Sequence, residues 1–196
     1  MAQKKKKKIM MTSPAGIAVW PWLNEPDTRW DTSEYKVTLK LTAENAKPFI
    51  EKLTEFYKQG YADHAKEQNK KLKKANLPWS EVVDDQGNET GEIEFKFKNK
   101  SSYEYEGETV ETRVLLVDKT RKPVEGRVGS GSEIRVGFEP YVWYVPSMGV
   151  GMTLRIKTVQ VLNLLEYNGD NSLDEFDFEF ETPAKASSGD EDNFDF

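Results

Sequence analysis

The 196-residue sequence contains no cysteine and a single histidine, His64. The absence of cysteine excludes disulfides, thiol catalysis and thiolate metal ligands, and it fits a reducing intracellular compartment. With one histidine and no cysteine, neither a usual catalytic triad nor a conventional zinc site can be assembled. His64 falls on the polar half of a predicted helix, so we expect a solvated surface residue rather than a base. We therefore expect no metal site and no cofactor.

Long apolar runs are also lacking. No stretch approaches the ~18 apolar residues that a membrane span needs, so we expect a soluble protein without membrane contact. The opening MAQKKKKKIMM is basic, but it lacks the ~7–15-residue apolar stretch of a signal peptide. Residues 1–12 are instead predicted to form a flexible basic arm, which either contacts phosphates or only aids solubility.

The charges that are present divide the chain into two parts. The net charge is −6, yet residues 167–196 contain ten acids and one base, Lys185. The other 166 residues hold 27 bases and 24 acids, so a mildly basic body precedes a strongly acidic tail. The tail's density of acids, serine and glycine predicts disorder. Such asymmetry is typical of nucleic-acid contact or of an interaction tail.

Alternating apolar and polar residues predict strands in the body. Residues 16–23 read as a short aromatic strand closed by Pro21, and 33–41 as a clear strand with alternate apolar side chains on one face. Further strands are predicted at 92–100, 132–145 and 151–165, and residues 108–119 are β-branched and apolar. The Gly-rich 126–133 lacks the Gly-Lys-Ser/Thr of a P-loop and is interpreted as a turn.

One helix is predicted after the second strand. Because proline is tolerated only in the first turn, Pro48 places the start near Asn45 to Lys47. Apolar residues recur at helical spacing as far as Tyr61, and the basic extension beyond it is predicted to be exposed or frayed. The fold class is therefore mainly β, and regular short strands with one inserted α-helix suggest a small closed or nearly closed barrel. Residues 13–166 are predicted to form this domain, and 167–196 the disordered acidic and aromatic tail.

Two chemistries compete for the polar strand faces. Asp84 or Asp85 with Glu94 and Lys96 resembles the Asp…Glu-x-Lys arrangement of metal-dependent nucleases. Tyr141 and Trp143 share one side of a strand, while basic residues occupy the polar faces of other strands: Lys36, Lys96, Lys98, Arg155 and Lys157. A positive groove with stacking rings is how single-stranded nucleic acid is bound without sequence reading. The same residues are also compatible with rim packing and a solvated face, and an interaction module that binds no DNA stays open.

The chain contains, in this order, the stretches EYKVTLKL, EIEFKFK, TRVLLVDKTRKPVEG–GSGSEIRV, EPYVWYVPSMGVGMTLRIKTVQVLNLLEY and a DEDNFDF terminus. As an ordered set they resemble the single-stranded-DNA-binding proteins of T-seven-type podophages. The resemblance covers residues from about 33 to 167 and returns at the tail. It implies an OB-fold five-stranded barrel with one inserted α-helix. It also implies a homodimer that coats single-stranded DNA in phage replication, recombination and repair, in the cytoplasm of the infected host cell. It is not an enzyme family.

The resemblance also implies site residues. Tyr141 and Trp143 look like the stacking aromatics, Lys36, Lys96 and Lys98 lie in DNA-facing strands, and a basic region follows the helix at Lys70, Lys71, Lys73 and Lys74. The tail is expected to contact the phage DNA polymerase and helicase-primase and to compete with DNA for the groove. Its implied partner-binding residues are Asp190, Glu191, Asp192, Phe194, Asp195 and Phe196. Three additional phenylalanines near the tail's root depart from the family's pattern: Phe176, Phe178 and Phe180.

Overall fold

The structure is a computed structural model that describes residues 8–29 and 32–166. The predicted tail and all but the end of the predicted basic arm lie outside the described residues. Within them the chain forms one helix, α1 (Ala43–Glu67), and ten strands. The strands are β1 (Met11–Thr12), β2 (Gly16–Asp27), β3 (Glu34–Thr42), β4 (Trp79–Val83), β5 (Glu89–Lys100), β6 (Ser102–Tyr105), β7 (Glu108–Glu111), β8 (Leu115–Val117), β9 (Glu133–Val145) and β10 (Gly149–Asn163).

Five of these strands close into a barrel. The order is β2, β3, β5, β10, β9, and β9 then pairs with β2 to complete the ring. All neighbours are antiparallel except β5 and β10, which are parallel. A five-stranded ring of this kind is an OB-type barrel, and the fold-class prediction is confirmed.

The alternation that predicted the strands also fills the barrel. One face of each strand is buried, and the opposite face carries the polar residues. Aromatic rings dominate the centre: Phe97 meets Phe138 edge-on with ring centroids 5.1 Å apart, and Phe49 from the helix lies 4.9 Å from Phe95. The largest fully buried side chains include Phe95, Phe97, Phe138, Leu39, Leu53, Ile134, Leu154 and Ile156.

The helix is inserted between β3 and β5 and packs against the barrel with its predicted apolar stripe. Phe49, Leu53 and Tyr57 are buried, and Gly60 is needed because a Cβ there would meet Val142 at 2.7 Å. The start is two residues earlier than the range predicted from Pro48. Thr42 is the N-cap and accepts from the backbone N–H of Asn45 at 3.4 Å. Pro48 consequently lies at the sixth helical position, not in the first turn.

The end of the helix is also better ordered than predicted. The helix continues six residues past Tyr61, to Glu67. His64 is only 27% exposed and lies 3.3 Å from Glu67, and its other ring nitrogen is 3.4 Å from the Val142 carbonyl oxygen. The prediction of a solvated surface histidine was therefore wrong, because β9 covers this turn of the helix. Within the described part of the chain, no helix is long and apolar enough to cross a membrane.

Three strand boundaries differ from the predictions. β2 does not end at Pro21 but continues to Asp27, through a bulge that accommodates the missing N–H of proline. Residues 108–119 do not form one strand: β7 turns back on β6 as a separate ribbon, and β8 joins the edge of β10. β4 was not predicted, and it pairs with the first half of β5.

Candidate nucleic-acid interface

The outer faces of β3 and β5 carry a basic surface. In their antiparallel register Lys36 lies opposite Lys98, and Thr38 opposite Lys96. Their sequence neighbours Val37, Phe95 and Phe97 are buried in the barrel. Because side chains alternate across a strand, the three lysines are on the outer face, as predicted.

The predicted aromatic residues lie on the same outer surface, two strands further along. β10 runs beside β5, with Leu154 level with Phe97, so the outward Arg155 is near the level of Lys98. On the other edge of β10, Tyr141 lies opposite Thr153 and Trp143 opposite Gly151. The lysines and the rings thus belong to one continuous curved surface, which we call the sheet face. It is defined by Lys36, Lys96, Lys98, Tyr141, Trp143 and Arg155.

Trp143 is held flat on the sheet. A Cβ on Gly151 would fall 2.2 Å from the indole ring, so the glycine provides the space in which the ring rests. The indole Nε1 donates a hydrogen bond to Thr153 Oγ1 at 3.0 Å, which fixes the ring's orientation. A half-buried ring held in place in this way can accept a stacked base with little loss of side-chain entropy.

Tyr141 is paired with Arg155. The guanidinium carbon lies 3.7 Å from the ring centroid, and the phenol is 43% exposed. This is a cation–π contact at an accessible site. Since Arg155 covers one face of the ring, a base can stack only on the other face. The guanidinium lies on the same surface, where it can bind a phosphate.

The strand lysines are not free charges, which the sequence did not predict. Lys96 Nζ is 3.1 Å from Glu94, and Lys98 Nζ is 3.6 Å from Glu34. Lys157 is the extra residue of a bulge in β10 and lies 3.5 Å from Glu139. In each pair the lysine is at least 36% exposed and the acid 12–27% exposed. Because surface ion pairs contribute only about 0–1 kcal/mol, a phosphate can replace the carboxylate as the partner of each lysine.

The basic region after the helix adjoins the Trp143 end of the sheet face. Tyr61 holds its first turn in place, since its hydroxyl donates to the Leu72 carbonyl at 2.6 Å. The backbone of Lys73 and Ala75 then bonds to Val150, the residue before Gly151. We call residues 70–74 the basic segment; Lys70, Lys71, Lys73 and Lys74 are all exposed. Among the described residues none of them forms an ion pair, and Lys74 lies 5.6 Å from the Tyr61 ring.

The residues of the nuclease alternative have other roles. The Asp84 carboxylate accepts hydrogen bonds from the backbone and side chain of Asn88 and from the backbone of Gln86, which hold the turn before β5 and lower the pKa of Asp84. Glu94 is engaged by Lys96 and by the Ser80 hydroxyl at 3.1 Å. In the described ranges no three histidine or acidic side chains come together as a metal would require.

A second aromatic and basic cluster was missed by the sequence analysis. Trp22 of β2 lies opposite Lys36, and the Arg29 guanidinium carbon is 4.7 Å from its ring centroid. Asp27 is 2% exposed and binds both Arg29, at 2.9 Å, and Lys36. These two cations hold the pKa of Asp27 well below its usual range, with Arg29 the larger cause. In the sequence, only the spacing of Trp22 and Arg29, seven residues apart around a turn, could have indicated this cluster.

The partner-binding residues implied for the tail, from Asp190 to Phe196, lie outside the described residues. The predicted site residues of β3, β5 and β9, together with Arg155 of β10, lie on the sheet face. The basic segment lies next to this face, and Lys157 lies beside it at the β10 bulge.

The chain is similar to known proteins in sequence and in fold. Residues 16–164 match the family described as single-stranded DNA-binding protein, Bacteriophage T7. No curated protein sequence matches the chain significantly. Among solved structures, gp2.5, a single-stranded DNA binding protein encoded by bacteriophage T7, aligns with a TM-score of 0.69 and 21% identity over 92% of this chain and 100% of that chain.

The single-stranded DNA-binding protein from bacteriophage Enc34 is also similar. It aligns with a TM-score of 0.60 and 15% identity over 86% of this chain and 92% of that chain. Its complex with single-stranded DNA aligns with a TM-score of 0.62 and 16% identity over 86% of this chain and 97% of that chain. At these identities the likeness establishes the shared fold. The family match spans most of the chain, and this protein belongs to the bacteriophage T7 family of single-stranded DNA-binding proteins, which are binding proteins rather than enzymes.

Proposed function

We propose that this chain binds single-stranded DNA without sequence specificity through the sheet face. The observation that carries the proposal is the fixed Trp143 ring, which lies flat on the sheet beside an Arg155–Tyr141 pair and a row of lysines. Every base has a π-face, so stacking on these rings needs no hydrogen bonds to base edges. The phosphates then take the place of the carboxylates beside Lys96 and Lys98.

The proposed biological role is to coat DNA that is exposed during phage replication, recombination and repair, in the cytoplasm of the infected host cell. The acidic tail recruits replication proteins, namely the phage DNA polymerase and helicase-primase. When DNA is absent, the same tail occupies the basic surface, since its acids and phenylalanines imitate phosphate charge and stacked bases. The chain acts as a homodimer in this role. Family membership and the tail's composition support these proposals.

DNA binding is tested by the fluorescence anisotropy of labelled oligo-dT, with the reporter on the DNA so that aromatic residues can be changed freely. The double variant Tyr141→Ala, Trp143→Ala is expected to weaken binding by at least about tenfold, since stacking contributes roughly 1–3 kcal/mol per base. Tyr103→Ala, Tyr105→Ala is the matched control, because these tyrosines are 51% and 58% exposed on the separate β6–β7 ribbon. Equal affinity of both double variants would mean that the sheet face is not the DNA site.

The tail is tested by deleting residues 190–196. Removing its four acids and two phenylalanines, which compete with DNA for the basic surface, is expected to tighten oligo-dT binding at low salt and to abolish retention of the phage polymerase on immobilised protein. The control keeps the length and the phenylalanines but changes Asp190, Glu191, Asp192 and Asp195 to the corresponding amides. Unchanged DNA affinity together with intact polymerase retention would refute the proposed tail role, and sedimentation of the full chain separately tests the homodimer.

A further inference from the structure

The feature that carries a further inference is the bulge in β2. Val19 lies opposite Thr38 and Trp22 opposite Lys36, so three steps along β2 correspond to two steps along β3. One extra residue is therefore inserted at Trp20–Pro21, and it reverses the alternation of the strand. Counting from the buried Ala18, an unbroken strand would point Trp20 and Trp22 into the barrel.

The bulge turns both tryptophans outward instead. Trp20 is 78% exposed and has φ of 49°, in the left-handed region that favours glycine. Its backbone N–H is held by the Ser130 hydroxyl at 3.0 Å. Trp22 lies beside Lys36 on the outer surface. A strained backbone that exposes a large ring, when regular alternation would bury it, indicates a ligand for that ring rather than a packing role.

The surroundings of Trp22 are organised in advance. The Arg29 guanidinium rests over its ring, and two hydrogen bonds from Arg29 to Asp27, at 2.9 and 3.0 Å, fix the guanidinium plane. The same carboxylate holds Lys36. The arrangement repeats the chemistry of Tyr141 and Arg155: an aromatic ring, an arginine over one face, and a lysine near it.

The cluster is also continuous with the sheet face. Trp22, Lys36 and Lys98 are successive outward residues on β2, β3 and β5, and Arg155 follows on β10. Adjacent strands are about 4.8 Å apart, so the path from Trp22 to Arg155 crosses roughly 15 Å of surface. Between Trp22 and Arg155 this path passes Lys36 and Lys98 with the acids paired with them, Asp27 and Glu34. A DNA strand that follows the lysines from Arg155 therefore arrives at Trp22.

We propose that Trp20 and Trp22, supported by Arg29, form a second base-stacking site at the β2 end of the single-stranded DNA path. The inference rests on the proposed function, since it extends the same surface. Bases stack on the exposed Trp20 ring and on the open face of Trp22, while Lys36 and Arg29 meet the neighbouring phosphates. The DNA is consequently held at both ends of the lysine row and not only at Tyr141 and Trp143.

The test uses full-length chains that keep a single tryptophan, with phenylalanine at the other four of the five tryptophans. One variant keeps Trp22, one keeps Trp20 and one keeps Trp143, and each is titrated with oligo-dT while anisotropy of the DNA reports binding. Quenching of Trp22 and Trp20 fluorescence that saturates together with the anisotropy is the expected result. Quenching in the Trp143 chain alone would overturn the second site and leave the proposed function intact. If neither these three chains nor the unaltered protein bound oligo-dT, the proposed function itself would be overturned.

Affinity gives an independent readout. Trp22→Ala is expected to weaken the binding of a long oligo-dT by about tenfold, whereas Trp22→Phe, which keeps a ring, recovers most of the affinity. Circular dichroism and thermal unfolding identify a variant that fails to fold. In that case the oligo-dT affinity of Trp20→Ala tests the second site, because a ring that is 78% exposed contributes little to the stability of the barrel. Affinity for oligo-dT unchanged in a folded Trp20→Ala and in a folded Trp22→Ala would contradict the second site.

Discussion

The sheet face and the basic segment are both rich in lysine, but they hold it differently. On the sheet face Lys36, Lys96 and Lys98 each lie within 3.6 Å of a carboxylate oxygen. In the basic segment Lys70, Lys71 and Lys73 are exposed, and among the described residues they have no acidic partner. On the first surface acids offset the charge of the three lysines, and this surface carries the rings, whereas the lysines of the second surface are not offset by acids among the described residues and no ring lies between them.

We expect this difference to separate two parts of DNA binding. Long-range attraction and salt dependence come from net positive charge, which releases counterions from the phosphates. Short-range orientation comes from rings and from paired lysines that exchange one anion for another. We expect the basic segment to control how steeply affinity falls with salt, and the sheet face to control the affinity that remains at high salt.

The largest effect is expected from removing the charge of the basic segment. With Lys70, Lys71, Lys73 and Lys74 all changed to Ala, oligo-dT affinity should fall on the order of a hundredfold at low salt, because each lost phosphate contact lowers the salt slope by about 0.7. Anisotropy titrations at several salt concentrations measure both quantities. The control is the same number of substitutions at Lys47, Lys52, Lys58 and Lys66 of the helix. An equal loss in that control would mean that only total charge matters.

Trp143→Ala is expected to have the next largest effect on affinity, without the change in salt dependence expected of the lysine variant. Loss of one stacked base lowers affinity by roughly 1–3 kcal/mol, or about 5- to 150-fold, at all salt concentrations. The slope of log affinity against log salt should stay parallel to that of the unaltered chain. A slope that becomes shallower, as in the lysine variant, would break the proposed division between the two regions.

Gly151→Ala sharpens the comparison by moving the ring without removing it. A Cβ at this position would meet the Trp143 indole at 2.2 Å, so the ring has to leave the sheet and its bond to Thr153. Since a half-exposed side chain can swing outward, the barrel should remain folded while affinity drops severalfold. Tryptophan emission and oligo-dT anisotropy are measured together, with Thr153→Val as the control that removes only the hydrogen bond. Unchanged affinity would show that the flat position of the ring is unimportant.

The sequence predicted the parts of this molecule that follow from period and composition. Apolar alternation in β3, β5 and β10 identified the inward residues correctly, and the stripe of Phe49, Leu53 and Tyr57 identified the helix face. Tyr141 and Trp143 were placed on one side of their strand for the same reason. These features depend on each strand or helix alone, so a single sequence carries them.

What the sequence could not predict depends on contacts between distant segments. The bulge at Trp20 is visible only from the unequal count of residues on β2 and β3, and it reverses the side on which Trp22 lies. The acids that pair with Lys98 and Lys157 come from other strands. His64 was misassigned because its polar neighbours gave no sign that β9 covers it. Strand pairing, not local pattern, decides all of these.

Asp27 connects the paired lysines to stability and to pH. Its pKa is lowered in the folded protein by Arg29 and Lys36, so its stabilising contribution is complete above the pKa of the unfolded carboxyl, about 3.9, and is lost as pH falls toward the folded value. Asp27→Asn should therefore lower the unfolding temperature at neutral pH, with a difference that narrows below about pH 4. Asp85→Asn, at an exposed turn, is the control. A difference that widens in acid would contradict the assigned sign.

The smallest effect tests whether the sheet-face acids restrain their lysines. Glu34 Oε2 lies 3.6 Å from Nζ of the 54% exposed Lys98, and a surface ion pair is worth about 0.2–1 kcal/mol. Freeing the lysine in Glu34→Gln should tighten oligo-dT binding by about 1.5- to 5-fold and make the salt slope steeper, as if one residue of the sheet face had become like the basic segment. Glu104→Gln removes the same charge from the β6–β7 ribbon, away from the lysine row. If both changes tighten binding equally, the acids act through the net charge of the chain, and the pairing of individual lysines has no part in it.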